Sequence, residues 1–535
     1  MSSKLLKGTF ILTFGMVLSK VLGLFYVIPF NAIVGYEGVS LYQYSYVAYS
    51  IFISLATGGM PLAVSKFVSK YNAMGEYAVG QKLFKASIKL MLVTGFLAFL
   101  AFWAFAPALA GMMTDGKGIA VDDIVTVMRA VSFALILVPA MSMIRGYFQG
   151  NEYMTPSSVS MVVEQLVRIV VLLGGAMVVM FLLDGDIVKA VSVSTFAAFV
   201  GAGGGLFVLF YYWKKQRQLF RNQMLQDKGT VQISLPAMYK EIILYSIPFI
   251  FVGIAMSLFQ LVDQLTFKNA MTAIGLGGQY ADTAIAILNV YAQKLVIIPM
   301  TLATGFSMAI VPSITKAFVE DKPDVYKQQL DQSFQVLIFL TLPAVVGMSL
   351  LAEPIYTVFY GYNDLGVEVL QLYAPTAILF AFFSVTAAVL QGINQQKYTV
   401  LSLLVGILVK LTLNIPFIKL FATAGSVFAT TIGYLVATLI NFYVIHHFTG
   451  YKYNLVIKRT VLMGIFTGLM ALGVWGLTSL AGLFLDPTAR VQAILIIIIG
   501  VIPGVLIYFA LALKSKLAHR LFGSKVDRLK EKLGL

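Results

Sequence analysis

The chain has 535 residues, 59% hydrophobic and 11% charged, with 38 Lys and Arg against 23 Asp and Glu. Water-soluble chains carry about 25% charged residues, so this one lacks the polar side chains to cover so large an apolar content. Soluble enzymes, disordered chains and collagen-like or coiled-coil rods are excluded, which leaves a polytopic membrane protein.

In chain order, Lys4 and Lys7 precede the first apolar run, 9–34. A secretory signal has an apolar region of only about 7–15 residues, so this run is read as a retained span. A membrane helix needs about 20 apolar residues. Fourteen runs qualify: 9–34, 41–65, 86–109, 124–149, 156–182, 187–213, 241–268, 281–310, 333–358, 369–392, 398–418, 423–446, 460–483 and 490–513. Strands of a membrane barrel would be about 10 residues of alternating polarity; these runs are continuous and read as helices. Tyr42, Tyr44, Tyr46 and Tyr49 are expected to include anchors at the membrane interface. Gly201, Gly203, Gly204 and Gly205 superficially resemble a phosphate loop, but they lie mid-span with no Gly-Lys-Ser/Thr after them. Close helix packing is the expected reason for them.

The termini and even-numbered loops hold 27 of the 38 basic residues, and the odd-numbered loops hold Lys117, Lys189, Lys268, Lys419 and Arg490. That bias predicts cytoplasmic termini. The cations are spread among short loops, which speaks against nucleic acid as a partner. There are no cysteines, and the only histidines are His446, His447 and His519. With no Walker motif, triad or metal cluster either, neither catalysis nor a cofactor is expected.

The two halves resemble each other. Phe148-Gln149-Gly150, Ser160 and Leu166-Val167-Arg168 return as Leu390-Gln391-Gly392, Ser402 and Leu408-Val409-Lys410, and Leu55-Ala56-Thr57-Gly58 as Leu302-Ala303-Thr304-Gly305. Six spans per copy give both copies one orientation, as in transporters whose site lies between lobes near the midplane. The expected fold is an all-α membrane protein with 14 transmembrane helices. It comprises two pseudo-symmetric six-helix lobes, 1–213 and 241–447, a cytoplasmic linker, 214–240, and a final segment, 448–535, with two helices and a basic tail.

Six cations remain inside spans (Lys20, Arg129, Arg145, Arg168, Lys294, Lys410) against two anions (Glu164, Asp263). Uncompensated, these eight groups would cost roughly 20 kcal/mol, at about 2.5–3.5 kcal/mol each. The surplus of positive charge predicts an anionic ligand. Glu164 and Arg168 are four apart and expected to pair. Lys20 and Lys294 have no sequence-local acid and are expected to line a cavity, helped by Arg129 or Arg145 unless these snorkel. Gln260, Asp263 and Gln264 form one polar stripe, and Asn289, Gln293 and Lys294 another; either could be helix packing.

Ser19-Lys20-Val21-Leu22-Gly23 in span 1, Tyr291-Ala292-Gln293-Lys294-Leu295 in span 8 and the twelve-span duplication resemble the MOP exporter superfamily. The opening Met1-Ser2-Ser3-Lys4-Leu5-Leu6, with Gln149-Gly150 and Gln391-Gly392, resembles its polysaccharide-transport branch. Within that branch the chain is most similar to the YtgP/MurJ-type lipid II flippases of Gram-positive bacteria, over essentially its whole length. The resemblance implies two lobes in a V, two further helices flanking a lipid-tail groove, and alternating-access movement of an undecaprenyl-diphosphate-linked sugar, foremost peptidoglycan lipid II. It implies that Lys20 and Lys294 stand at two diphosphate-binding arginine positions. Tyr26 stands at a third, and the span-2 arginine has no counterpart here. Lysine lacks the bidentate fork of arginine. The ligand positions of sodium-linked members correspond to Asp263, Lys410, Asn414 and Thr430. A lysine there would repel sodium, so Lys410 is expected to replace the ion and pair with Asp263. Expected partners are the lipid-linked diphosphate, membrane lipids and cell-wall synthesis enzymes, with the protein a monomer. Still open are a flippase for another lipid-linked polysaccharide, a MATE-like exporter, disfavoured by the basic interior, and a non-transporting cell-wall scaffold.

Overall fold

A computed structural model describes residues 3–114, 118–183, 185–230, 234–308 and 311–522. Lys117, linker residues 231–233 and the basic tail from 523 lie outside the described residues. The chain packs as two compact units, Met1–Ala286 and Ile287–Leu535.

The first unit contains α1 (Ser3–Phe25), α2 (Val27–Thr57), α3 (Met60–Met74), α4 (Tyr77–Met113), α5 (Val121–Ser132), α6 (Ala134–Gly150), α7 (Met154–Met177), α8 (Ile187–Lys215), α9 (Arg217–Leu225), α10 (Leu235–Ala273) and α11 (Gln279–Ala286). The second opens with a π-helical segment, Ile287–Ala292, followed by α12 (Gln293–Met308), α13 (Val311–Val319), α14 (Pro323–Leu350), α15 (Ala352–Tyr360), α16 (Asp364–Tyr373), α17 (Thr376–Gly392), α18 (Gln396–Phe421), α19 (Thr423–Thr449), α20 (Asn454–Ala481), α21 (Arg490–Lys514) and α22 (Leu517–Phe522). The linker expected over 214–240 thus contains α9, whose Phe220 packs on Phe148 and Trp213. The seventh span, α10, packs within the first unit.

Among the described residues twelve helical stretches are long and apolar enough to cross a membrane, and thirteen if the bent pair Asp364–Tyr373 and Thr376–Gly392 counts as one span. One of these stretches, Phe14–Met74, has 61 residues, about 90 Å of helix against a hydrocarbon core of about 30 Å. It contains two spans, which meet at Gly35, where φ is 65° and ψ −174°. A side chain rarely adopts that conformation, and glycine does so without strain. The total is fourteen. The helices turn large apolar side chains outward: Phe207, Leu472, Trp475, Val491 and Leu506 are all more than 60% exposed. Such faces are at home in lipid, where a helix satisfies its own backbone.

The duplication is visible in the helix boundaries. α6 and α17 are each 17 residues long and begin at Ala134 and Thr376, 242 apart. α7 and α18 begin at Met154 and Gln396, again 242 apart. Each repeat breaks the span before that point, at Phe133 and at Ala374-Pro375. The repeated serines have matching roles. Ser160 Oγ donates to the Gly205 carbonyl on α8, and Ser402 Oγ to Asn441 Oδ1 on α19. The glycine run on α8 is a close-packing surface, since a β-carbon on Gly201 would lie 2.8 Å from the Glu164 carbonyl of α7. Outside the repeat, α20 and α21 pack on each other and on α14 and α15.

Candidate functional site

Lys20 is exposed on α1, and α1 runs along α7. Small residues permit this approach: a β-carbon on Gly23 would lie 3.1 Å from Gln165 Nε2, and Ser158 Oγ donates to the Ile11 carbonyl at 2.8 Å. Arg129, on α5, lays its guanidinium 4.1 Å from the ring centre of Trp103 on α4, a cation–π contact suited to an apolar surround.

Arg145 is buried on α6 and meets Glu164 of α7 at 2.7 Å. It also donates from Nε and Nη2 to Ser160 Oγ, at 3.1 and 2.7 Å. This corrects the expected Glu164–Arg168 pair. The packing of α6 against α7 delivers a guanidinium to Glu164 from the neighbouring helix, with Ser160 fixing its plane. Arg168, a turn further along α7, donates instead to the Tyr42 hydroxyl at 3.1 Å and lies 5.2 Å from the Tyr46 ring centre.

Three of the four α2 tyrosines turn inward. Tyr42, Tyr44 and Tyr49 are buried and face other helices, not the membrane interface. Tyr44 donates to Asp282 Oδ1 at 2.8 Å. Asp282 also pairs with Lys268 at 3.0 Å, and Lys268 donates to Thr114 Oγ1 at 3.0 Å. Ser40 Oγ donates to the Asp282 carbonyl at 2.8 Å. Lys268, expected in an outer loop, is therefore inside α10 and 2% exposed, and Asp282 is an embedded acid that sequence reasoning missed. They add one charge of each sign, so the positive surplus within the spans is unchanged. Asp263 and Gln264 are also buried, and Gln264 Nε2 donates to the Gln43 carbonyl on α2 at 3.0 Å.

In the second unit, Lys294 follows directly on the π-helical segment that carries Asn289 and Tyr291. A π segment shifts helix register and is common at functional sites. Here Tyr291 is fully buried against Tyr360, ring centres 4.6 Å apart, while Lys294 stays partly exposed. On α18 of the same unit Lys410 is fully buried and donates to Thr430 Oγ1 at 2.6 Å, and Thr430 donates to the Ser426 carbonyl at 2.9 Å. Asn414, also fully buried, follows one turn along α18. Lys410, Asn414 and Thr430 thus cluster between α18 and α19, whereas Asp263 belongs to the first unit. Among the described residues no group of three or more His, Cys, Asp or Glu is placed to hold a metal ion.

The fold matches solved structures. The lipid II flippase MurJ in an inward closed conformation aligns with a TM-score of 0.66 at 15% identity, over 96% of this chain and 99% of that one. An inward-facing multidrug resistance MATE family transporter of the MOP superfamily aligns with a TM-score of 0.59 at 16% identity, over 80% of this chain and 98% of that one. The fold is that of a MOP-superfamily membrane transporter. The sequence resolves the branch. Residues 5–318 match the family described as polysaccharide biosynthesis protein, and residues 247–491 match the lipid II flippase MurJ family. Lipid II flippase MurJ of Bacillus subtilis (strain 168) is 42% identical over 534 residues, 98% of each chain. The chain belongs to the MurJ family of lipid II flippases.

Proposed function

We propose that this protein carries peptidoglycan lipid II from the cytoplasmic to the outer leaflet of the cell membrane by alternating access. The observation that carries this reading is the near-full-length similarity to the Bacillus subtilis lipid II flippase. The positive surplus within the spans supports it, because a diphosphate is the anionic part of that substrate. In this reading Lys20 and Lys294 contact the diphosphate, and Arg129 and Arg145 add to the positive field. The sugar crosses inside the protein's cavity while the lipid tail stays in the bilayer beside α20 and α21. Both termini lie in the cytoplasm, and one chain carries both lobes and acts as a monomer. A membrane potential negative inside then assists the anionic headgroup, at about 2.3 kcal/mol per charge per 100 mV.

The test is rescue of a bacterial strain depleted of its own flippase. Wild type is expected to rescue and Lys294→Ala to fail at equal expression; full rescue by the variant would remove Lys294 from the mechanism. Native mass spectrometry with lipid II and competing undecaprenyl lipids checks the substrate, and selective lipid II retention is expected. The match of residues 5–318 to the polysaccharide biosynthesis family favours a second reading, a flippase for another lipid-linked polysaccharide unit. Retention of a different undecaprenyl lipid in preference to lipid II would select it.

A further inference from the structure

Arg168 is a charge in the first unit that protein groups orient without neutralising. Glu164, the acid one turn away on the same helix, is engaged by Arg145 at 2.7 Å. The partners of Arg168 are neutral. They are the Tyr42 hydroxyl, 3.1 Å from Nη2, and Tyr46, which offers its ring face at 5.2 Å. Tyr42 is itself tied to Tyr26, hydroxyl to hydroxyl, at 3.0 Å, and both rings are buried. The guanidinium is therefore held in one orientation from α2 and the α1–α2 joint. Its Nε–H is buried and makes no hydrogen bond.

A phenol or an aromatic face orients a guanidinium but leaves its charge, and an uncompensated charge is costly even when only partly buried. A buried donor without an acceptor adds to that cost. Both costs fall if an anion binds beside Nε, because the planar fork of arginine matches two oxygens of one phosphate. We infer that Arg168, steadied by Tyr42 and Tyr46, is a phosphate-binding residue for the polyprenyl diphosphate, separate from Lys20 and Lys294. This rests on the transport reading above. Arginine supplies here the bidentate geometry that the two lysines lack. Tyr26 and Tyr42 act as positioning residues that keep the fork facing its ligand.

The test uses the purified full-length protein in nanodiscs, with undecaprenyl diphosphate as probe and undecaprenol as its neutral control. Arg168→Met is expected to weaken diphosphate binding about tenfold or more, as for loss of a charge-assisted pair, and to leave undecaprenol binding unchanged. Its melting temperature without ligand should hold or rise, because a partly buried charge with no counter-charge has been replaced by an apolar side chain. A purely structural arginine would lower the melting temperature without changing the preference for diphosphate, and that result overturns the inference. Arg168→Lys keeps the charge without the fork and should fall between wild type and Arg168→Met. Tyr42→Phe keeps the guanidinium and loosens it, and should weaken diphosphate binding to a smaller degree. If Arg168→Met does not fold, wild-type affinity in both of these variants overturns the inference. A wild-type protein that binds undecaprenol as tightly as the diphosphate overturns the transport reading, and the role of Arg168 with it.

Discussion

Lys268 and Asp282 lie 14 residues apart in the chain, on α10 and α11, and are 2% and 3% exposed. Taking two such charges out of water is expensive, and their attraction repays it only with good geometry and satisfied donors. Tyr44, Thr114 and Ser40 supply those donors and acceptors from α2 and the segment after α4. Asp282→Ala would leave the Lys268 ammonium buried without its carboxylate, and a loss of about 3–5 kcal/mol is expected. The double variant Lys268→Met, Asp282→Leu should recover most of that loss, because both charges are removed together. Melting of both variants in detergent tests this; a double variant as unstable as the single one would show that the node acts by packing and not by charge. Neither residue stood out in the sequence. Lys268 read as a loop cation and Asp282 was not among the embedded acids, because their pairing depends on how α10, α11 and α2 pack. Arg145, Glu164 and Arg168 make the same point. The i, i+4 rule favoured Glu164 with Arg168, but a helix neighbour from α6 placed a better-oriented guanidinium on the acid.

At the scale of elements, helix identity was legible throughout, since about 20 apolar residues in a row admit only one structure in lipid. The breaks were less so. Proline marks the one at Pro375, but the break at Phe133 and the π segment Ile287–Ala292 have no local signal, because neighbouring helices set where hydrogen-bond register shifts. The pair α18 and α19 carries a prediction of its own. Lys410 donates to Thr430 at 2.6 Å, in the cluster where sodium-linked relatives are expected to hold their ion. An ammonium fixed there would exclude a second cation by Coulomb repulsion in a low dielectric. Replacing sodium by choline should therefore leave lipid transport in proteoliposomes unchanged, and a sodium-dependent rate would refute this account of Lys410.

At the scale of the whole molecule, the charge bias among loops predicts orientation, and the absence of cysteine makes it simple to test. Each introduced thiol is the only one in the chain. Lys85, Lys419 and Lys452 are exposed, and the Lys189 side chain is 73% exposed. Lys85→Cys and Lys452→Cys should react with a membrane-impermeant maleimide only after cells are opened, whereas Lys189→Cys and Lys419→Cys should react in intact cells. The reverse pattern would invert the topology.

The sequence by itself determined the membrane class, the fourteen helices, the duplication and the sign of the interior charge. Each depends on composition, run length or internal similarity, which need no knowledge of what packs on what. Only the tertiary structure decided which charges neutralise each other. Arg145 takes Glu164, Lys268 takes Asp282, and Arg168 is left with tyrosines. The physical reason is that the strength of a buried charge pair depends on angstrom-scale geometry between helices far apart in the chain, and the sequence does not encode that distance locally.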